Sequence, residues 1–251
     1  MSEQAADGID YHLLTRAVLH TESRILTNAA GIHKSSLQDL KSRFGFAQSG
    51  NAYKAALMLN LCGADWTPRF VDYFNGETRT PEFRRINPMG EVPVLQDGER
   101  HLTQSGAILV ELAERHGRFG GRDDAERHEI LRWLLFDNHK FTASFASYRF
   151  MKSFAPSAPD PAVMAWLRGR FEAAFGVVNQ HLSGRDWMVG DGPTIADFSL
   201  SGYLFYPVEE SGYDVAAQHP AIGAWVARLR RVPGWADPYE MLPGPRIAPR
   251  W

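Results

Sequence analysis

The run Asn87-Pro88-Met89-Gly90-Glu91-Val92-Pro93-Val94-Leu95 decides how the rest of the chain is read. Pro93 stands where a strand should begin, and proline cannot donate to a strand ladder. Two readings are open. One is an ordinary proline at a strand edge. The other is a cis Val92–Pro93 bond, a rare and usually purposeful feature. It would turn the Val92 N–H and C=O outward, where an extended peptide could pair with them as an added strand. Downstream, residues 92–96 and 100–103 read as strands around Asp97-Gly98. That dipeptide is a hairpin signal, because both central positions of a tight turn need positive φ. Residues 105–115 then form a helix closed by His116-Gly117. Upstream, 81–86 is at most a short helix and 66–73 alternates like a strand. Residues 51–61 carry Leu57, Met58 and Leu61 on one helical face and stop at Gly63, and 41–46 is a short strand. The order βαβ, hairpin, helix predicts a mixed sheet with helices packed on it.

The character changes after Gly117. A stretch rich in Gly and charge, 117–124, reads as a linker. Helical patterns follow at 125–151, 161–182, 194–206 and 220–230, broken by proline-rich segments, and the tail from 233 reads as irregular. Thr194-x-x-Asp197 has capping-box spacing, so Asp197 is assigned to folding and not to catalysis. The predicted architecture is therefore α/β plus all-α. Residues 1–40 form a partly helical appendage, with Leu13, Leu14, Ala17, Val18 and Ile25 at helical spacing; 41–117 form the first domain, 122–240 the second, and 241–251 the irregular tail.

Composition narrows the function. A net charge of -2 without a long Lys/Arg run does not suggest a nucleic-acid partner. Apolar stretches such as 55–62 are far too short to span a membrane, and the polar start shows no secretory signal. Cys62 is the only cysteine, which rules out an internal disulfide or a Cys-based zinc site. No pair of histidines has i, i+4 spacing, so no metal is expected. These features fit a reducing cytoplasm.

Two segments carry candidate chemistry. Gln104-Ser105 opens a helix, and a helix N-terminus offers free N–H groups and partial positive charge to a carboxylate. Between the first strand and the first helix lies Phe44-Gly45-Phe46-Ala47-Gln48-Ser49-Gly50-Asn51-Ala52-Tyr53-Lys54. A thiol with pKa near ~8.5 is mostly protonated at neutral pH. A donated hydrogen bond and a helix N-terminus both favour its thiolate, and Ser49 or Asn51 could supply that contact. Simple N-capping is the plain alternative for Ser49 and Ser105.

Taken together, the runs 49–54, 87–95 and 104–108 resemble the glutathione S-transferase family in order and spacing, over about residues 41–238. The resemblance implies a thioredoxin-like N-terminal domain with a cis Pro93, followed by an all-helical C-terminal domain, usually in a homodimer. It implies glutathione as co-substrate, with Ser49 at the sulfur and Asn51 as neighbour or substitute. Val92 would pair with the cysteinyl part, beside Pro93. Gln104 and Ser105 would hold the γ-glutamyl end, and Arg79 is the candidate for the glycyl carboxylate. A pocket for a small electrophile would be lined by Phe136, His139, Lys140, Phe145 and Tyr206. Glu91 departs from the pattern, because some relatives have a cation there. The run Ser49-x-Asn51-x-x-Lys54 is similar to nu-like bacterial enzymes; Leu59-Asn60-Leu61-x-Gly63 with Leu102-Thr103-Gln104-Ser105 is similar to the zeta class. Conjugation or disulfide reduction, maleylacetoacetate-type isomerisation, and a non-catalytic binding protein are the functions this implies.

Overall fold

The computed structural model describes residues 42–251; the expected appendage at 1–40 lies outside them. The first half runs β1 (Ser42–Gly45), α1 (Gly50–Cys62), β2 (Pro68–Phe70), a 3-10 turn (Glu77–Arg79), α2 (Pro81–Ile86), β3 (Val94–Asp97), β4 (Arg100–Thr103) and α3 (Ser105–His116). The sheet order is β2-β1-β3-β4. β1 pairs parallel with β2 and antiparallel with β3, and β3 pairs antiparallel with β4. This is the thioredoxin-like arrangement.

Local chemistry sets these elements. The Ser49 side chain caps α1 by accepting the Ala52 N–H, and Gly63 ends the helix at φ 65. Thr80 caps α2, with Pro81 in its first turn. β3 pairs only from Val94 onward, one residue past a Val92–Pro93 bond that is cis. The alternating stretch 66–73 yields only a three-residue edge strand with every residue exposed. α1 differs from the one-sided helix expected. Ala52, Ala55, Ala56 and Leu59 are buried along with Leu57, Met58 and Leu61, because α1 packs against both α3 and the helical half.

That second half comprises α4 (Asp124–Phe136), a π-helical turn (Asp137–Phe141), α5 (Thr142–Ser153), α6 (Pro161–Leu182), α7 (Ile195–Ser201), α8 (Val208–Ser211), α9 (Val215–Gln218), α10 (Pro220–Leu229) and α11 (Pro238–Met241). The single helix expected at 125–151 is thus two helices joined by the π turn. Asp137 opens that turn and is fully buried. It holds Lys54 Nζ at 2.6 Å and the Ser199 hydroxyl at 2.6 Å, and accepts from Thr142 as well. α7 also stops short of the expected 206. At Gly202, which follows it, an added Cβ would lie 2.6 Å from the Lys54 side chain. Only glycine lets the chain approach α1 so closely.

Asp197 anchors the helical core. Its carboxylate completes a capping box with Thr194, and it accepts from the Met188 N–H at 2.9 Å and Trp225 Nε1 at 2.8 Å. The tail expected to be irregular from 233 carries α11, whose Met241 is buried; beyond it the chain is irregular, but Leu242 is buried and the Ala47 N–H donates to the Pro243 carbonyl at 3.0 Å. Asp197→Ala leaves four buried donors, the Met188 and Thr194 N–H groups, the Thr194 hydroxyl and Trp225 Nε1, without an acceptor, at about 1–3 kcal/mol each. Urea denaturation should show a loss of about 3 kcal/mol or more, against about 1 kcal/mol for Thr194→Ala.

Candidate active site

One cleft of about 590 Å³ runs between the two halves. Ser49, Asn51, Val92 and Gln104 line it from the sheet half. Asn138, Thr142, Arg149, Phe150 and Tyr203 are among the residues that line it from the helical half. A small polar chamber of about 40 Å³, lined by Asn51, Asn87, Glu91, Val92, Pro93, Gln104, Ser105 and Asn138, lies at the α3 N-terminus. Five residues, Asn51, Glu91, Val92, Gln104 and Asn138, belong to both.

Ser49 sits at the floor as the N-cap of α1. Its Oγ accepts the Ala52 N–H at 3.1 Å, which leaves the hydroxyl proton free to donate into the cleft. Asn51 lies in the first turn of the same helix. The Ser105 hydroxyl approaches Asn51 Oδ1 at 3.5 Å, so the starts of α1 and α3 face each other. Gln104 adopts φ 64, a left-handed conformation rare outside glycine. In that conformation its amide Nε2 donates to Glu91 Oε2 at 3.1 Å.

The turn before Ser49 is gripped by the helical half and the tail. Tyr206 donates its hydroxyl to the Ala47 carbonyl at 2.8 Å. Arg149 Nη1 donates to the Gln48 carbonyl at 2.8 Å. Gln48 Nε2 donates to the Pro245 carbonyl at 2.7 Å. Arg149 is buried and ion-paired with buried Glu210, whose other oxygen accepts from Tyr239 at 2.6 Å. The Arg149 guanidinium also lies 3.8 Å from the Tyr206 ring centroid. Burial pushes the Tyr206 and Tyr203 hydroxyls above the usual phenol range, offset in part by the Arg149 cation, so both stay protonated. Gly50 is required here: a Cβ would fall 2.4 Å from the Tyr203 ring, which covers the start of α1.

The far end of the cleft is aromatic. Phe46 stacks on Tyr73 at 4.7 Å, and Phe74 packs edge-on against Phe46 at 5.5 Å. Phe150 and Phe154 of the helical half meet Phe74 across the opening.

Several residues named from the sequence fall elsewhere. Arg79 is exposed in the 3-10 turn, against Gly76, and lines neither space. Phe136 packs on Trp133, His139 and Lys140 are exposed on the π turn, and Phe145 is buried against Phe171 and Phe175. Tyr206 is turned away to its Ala47 contact. The π turn explains much of this displacement. It adds a residue to one turn, so Asn138 and Thr142 reach the cleft in place of the residues expected from a continuous helix. Arg149 was not singled out in the sequence, although one Arg among Phe145, Tyr148, Phe150 and Phe154 is the pattern of a buried, partnered cation.

Among the described residues there is no cluster of ligands for a metal ion, and no helix is long and apolar enough to cross a membrane. Residues 48–115 match the family model for the glutathione S-transferase N-terminal domain, and 144–233 match that for its C-terminal domain. Glutathione S-transferase F14 of Arabidopsis thaliana is 26% identical over 207 residues, 78% of this chain and 81% of its own. A glutathione S-transferase structure from Xanthobacter autotrophicus Py2 is 35% identical with a TM-score of 0.72, covering 78% of this chain and 95% of that one. Ure2p in complex with S-hexylglutathione is 25% identical with a TM-score of 0.70, covering 77% of this chain and 95% of that one. With both models matched in order, and a relative at 35% identity covered almost end to end, the chain belongs to the glutathione S-transferase family.

Proposed function

We propose that this protein is a glutathione transferase of the serine type, which holds the glutathione thiolate at Ser49 and delivers it to an apolar electrophile or disulfide. The observation that carries the reading is convergence. Ser49, Asn51, Val92, Gln104 and Ser105 are spread over more than fifty positions, yet they border one cleft and its adjoining chamber. The Ser49 proton is free to donate toward a sulfur, and the α1 N-terminus adds partial positive charge. The Val92 peptide lies beyond the end of the β3 ladder, where the cysteinyl backbone of glutathione can pair with it. Ser105, at the start of α3, suits the γ-glutamyl carboxylate.

The second substrate enters at the aromatic end. Phe46, Tyr73, Phe74, Phe150, Met151 and Phe154 offer apolar surface and no charge there. The Ure2p complex supports this division, because its ligand carries a hydrocarbon chain on the glutathione sulfur. The nucleophile belongs to glutathione, so the protein contributes position and thiolate stabilisation. The reading includes homodimeric assembly, for which exposed Leu131 and Leu135 on one face of α4 supply apolar surface.

Ser49→Ala is expected to lower kcat/KM by about a hundredfold and to raise the pKa of the bound glutathione thiol, read from thiolate absorbance against pH. An unchanged pH profile, together with a shifted one for Asn51→Ala, would transfer the sulfur contact to Asn51. Tyr206→Phe removes one grip on the 46–49 turn and leaves the Arg149–Glu210 pair intact. It is expected to reduce kcat about threefold to tenfold with little change in KM.

A further inference from the structure

Glu91 is an exposed carboxylate at the junction of the cleft and the polar chamber. It forms no ion pair among the described residues; its one side-chain partner is the neutral amide of Gln104 at 3.1 Å. Its backbone is fixed, because buried Asn87 donates Nδ2 to the Glu91 carbonyl at 2.8 Å. Across the same 40 Å³ chamber stands Ser105 at the start of α3, a helix of 12 residues. The first-turn N–H groups of such a helix lack intrahelical partners and attract negative charge.

The chamber therefore makes two opposite demands. One wall accepts an anion; the other presents an anion without a counter-charge. A ligand with a single carboxylate satisfies one wall and is repelled by the other. An α-amino acid group, with carboxylate and ammonium on one carbon, satisfies both. Glutathione has such a group at only one end, its γ-glutamyl residue, since its glycyl end has a carboxylate alone.

We propose that Glu91 receives the γ-glutamyl ammonium, so that Glu91 and the α3 N-terminus together select the zwitterionic end of glutathione and set its direction in the cleft. This rests on the glutathione-binding reading above. Gln104 is the spacer: its amide hydrogen holds Glu91 in place, and its carbonyl oxygen remains available as a second acceptor for the ammonium. The acidic residue that interrupts the 87–95 run thus acts at the γ-glutamyl end and not at the glycyl end.

Titration calorimetry with two ligands tests it: glutathione, and glutaryl-cysteinylglycine, which lacks only the ammonium. The folded full-length protein and its Glu91→Gln and Glu91→Lys variants are compared. Wild type should bind glutathione about tenfold tighter than the glutaryl analogue. Glu91→Gln should lose about tenfold for glutathione and almost nothing for the analogue. Glu91→Lys should lose more for glutathione and gain for the analogue. Equal losses for both ligands, no loss for either, or tighter glutathione binding by Glu91→Lys would each overturn the assignment while leaving glutathione binding itself in place. Absence of saturable glutathione binding by wild type would instead remove the underlying functional reading.

Discussion

A lysine ammonium and an aspartate carboxylate, both shut off from water, hold the two halves of this molecule in register. Lys54 lies one turn beyond Asn51 on α1, and Asp137 opens the π turn of the helical half; their charged atoms meet at 2.6 Å with no exposure on either side. Desolvating two such charges is expensive, and the attraction compensates only when the remaining hydrogen-bonding capacity is filled. Here Thr142 and Ser199 fill it from two different helices. The pair fixes α1, and with it Ser49 and Asn51, relative to the π turn that carries Asn138 and Thr142 into the cleft. Gly50 and Gly202 make the fit possible, since a side chain at either position would collide with Tyr203 or Lys54.

A second constraint acts on the turn itself. Phe46 to Ser49 is a short connection between strand and helix, and such loops are mobile unless tied down. Arg149, Tyr206 and the tail carbonyls of Pro243 and Pro245 supply the ties. The Arg149–Glu210 pair is itself buried and satisfied by Gln48 and Tyr239, so the cation serves as a rigid post and not as a free charge in the cleft. The site is thus composite. Ser49 belongs to the sheet half, but the turn that carries it is held by helices far away in sequence.

That composition explains what was legible in the sequence. Strand, helix and hairpin order followed from short-range signals: Asp97-Gly98, Thr80-Pro81, Gly63 and Gly117 each act within a few residues. The Ser49 cap and the helix start at Ser105 were legible for the same reason, although the N-cap position there is Gln104 and makes no side-chain cap bond. The helical wall was not. Its cleft-facing register follows a π turn whose first residue, Asp137, is held by Lys54, eighty-three positions away. Periodicity alone does not reveal an inserted residue, and beyond Asp137 it is Asn138 and Thr142, not His139, Lys140 or Phe145, that line the cleft. Arg79 directly precedes the Thr80 cap of α2 in sequence, but the 3-10 turn directs it to solvent.

The docking of the tail has an implication for biosynthesis. Elements of the sheet half can pair as soon as they leave the ribosome, because their contacts are local. The turn that presents Ser49 is different, since its partners include carbonyls at 243 and 245. During vectorial synthesis this turn waits for a partner made 197 positions later before that clasp closes. The wall of the cleft that is made first is therefore among the parts completed late.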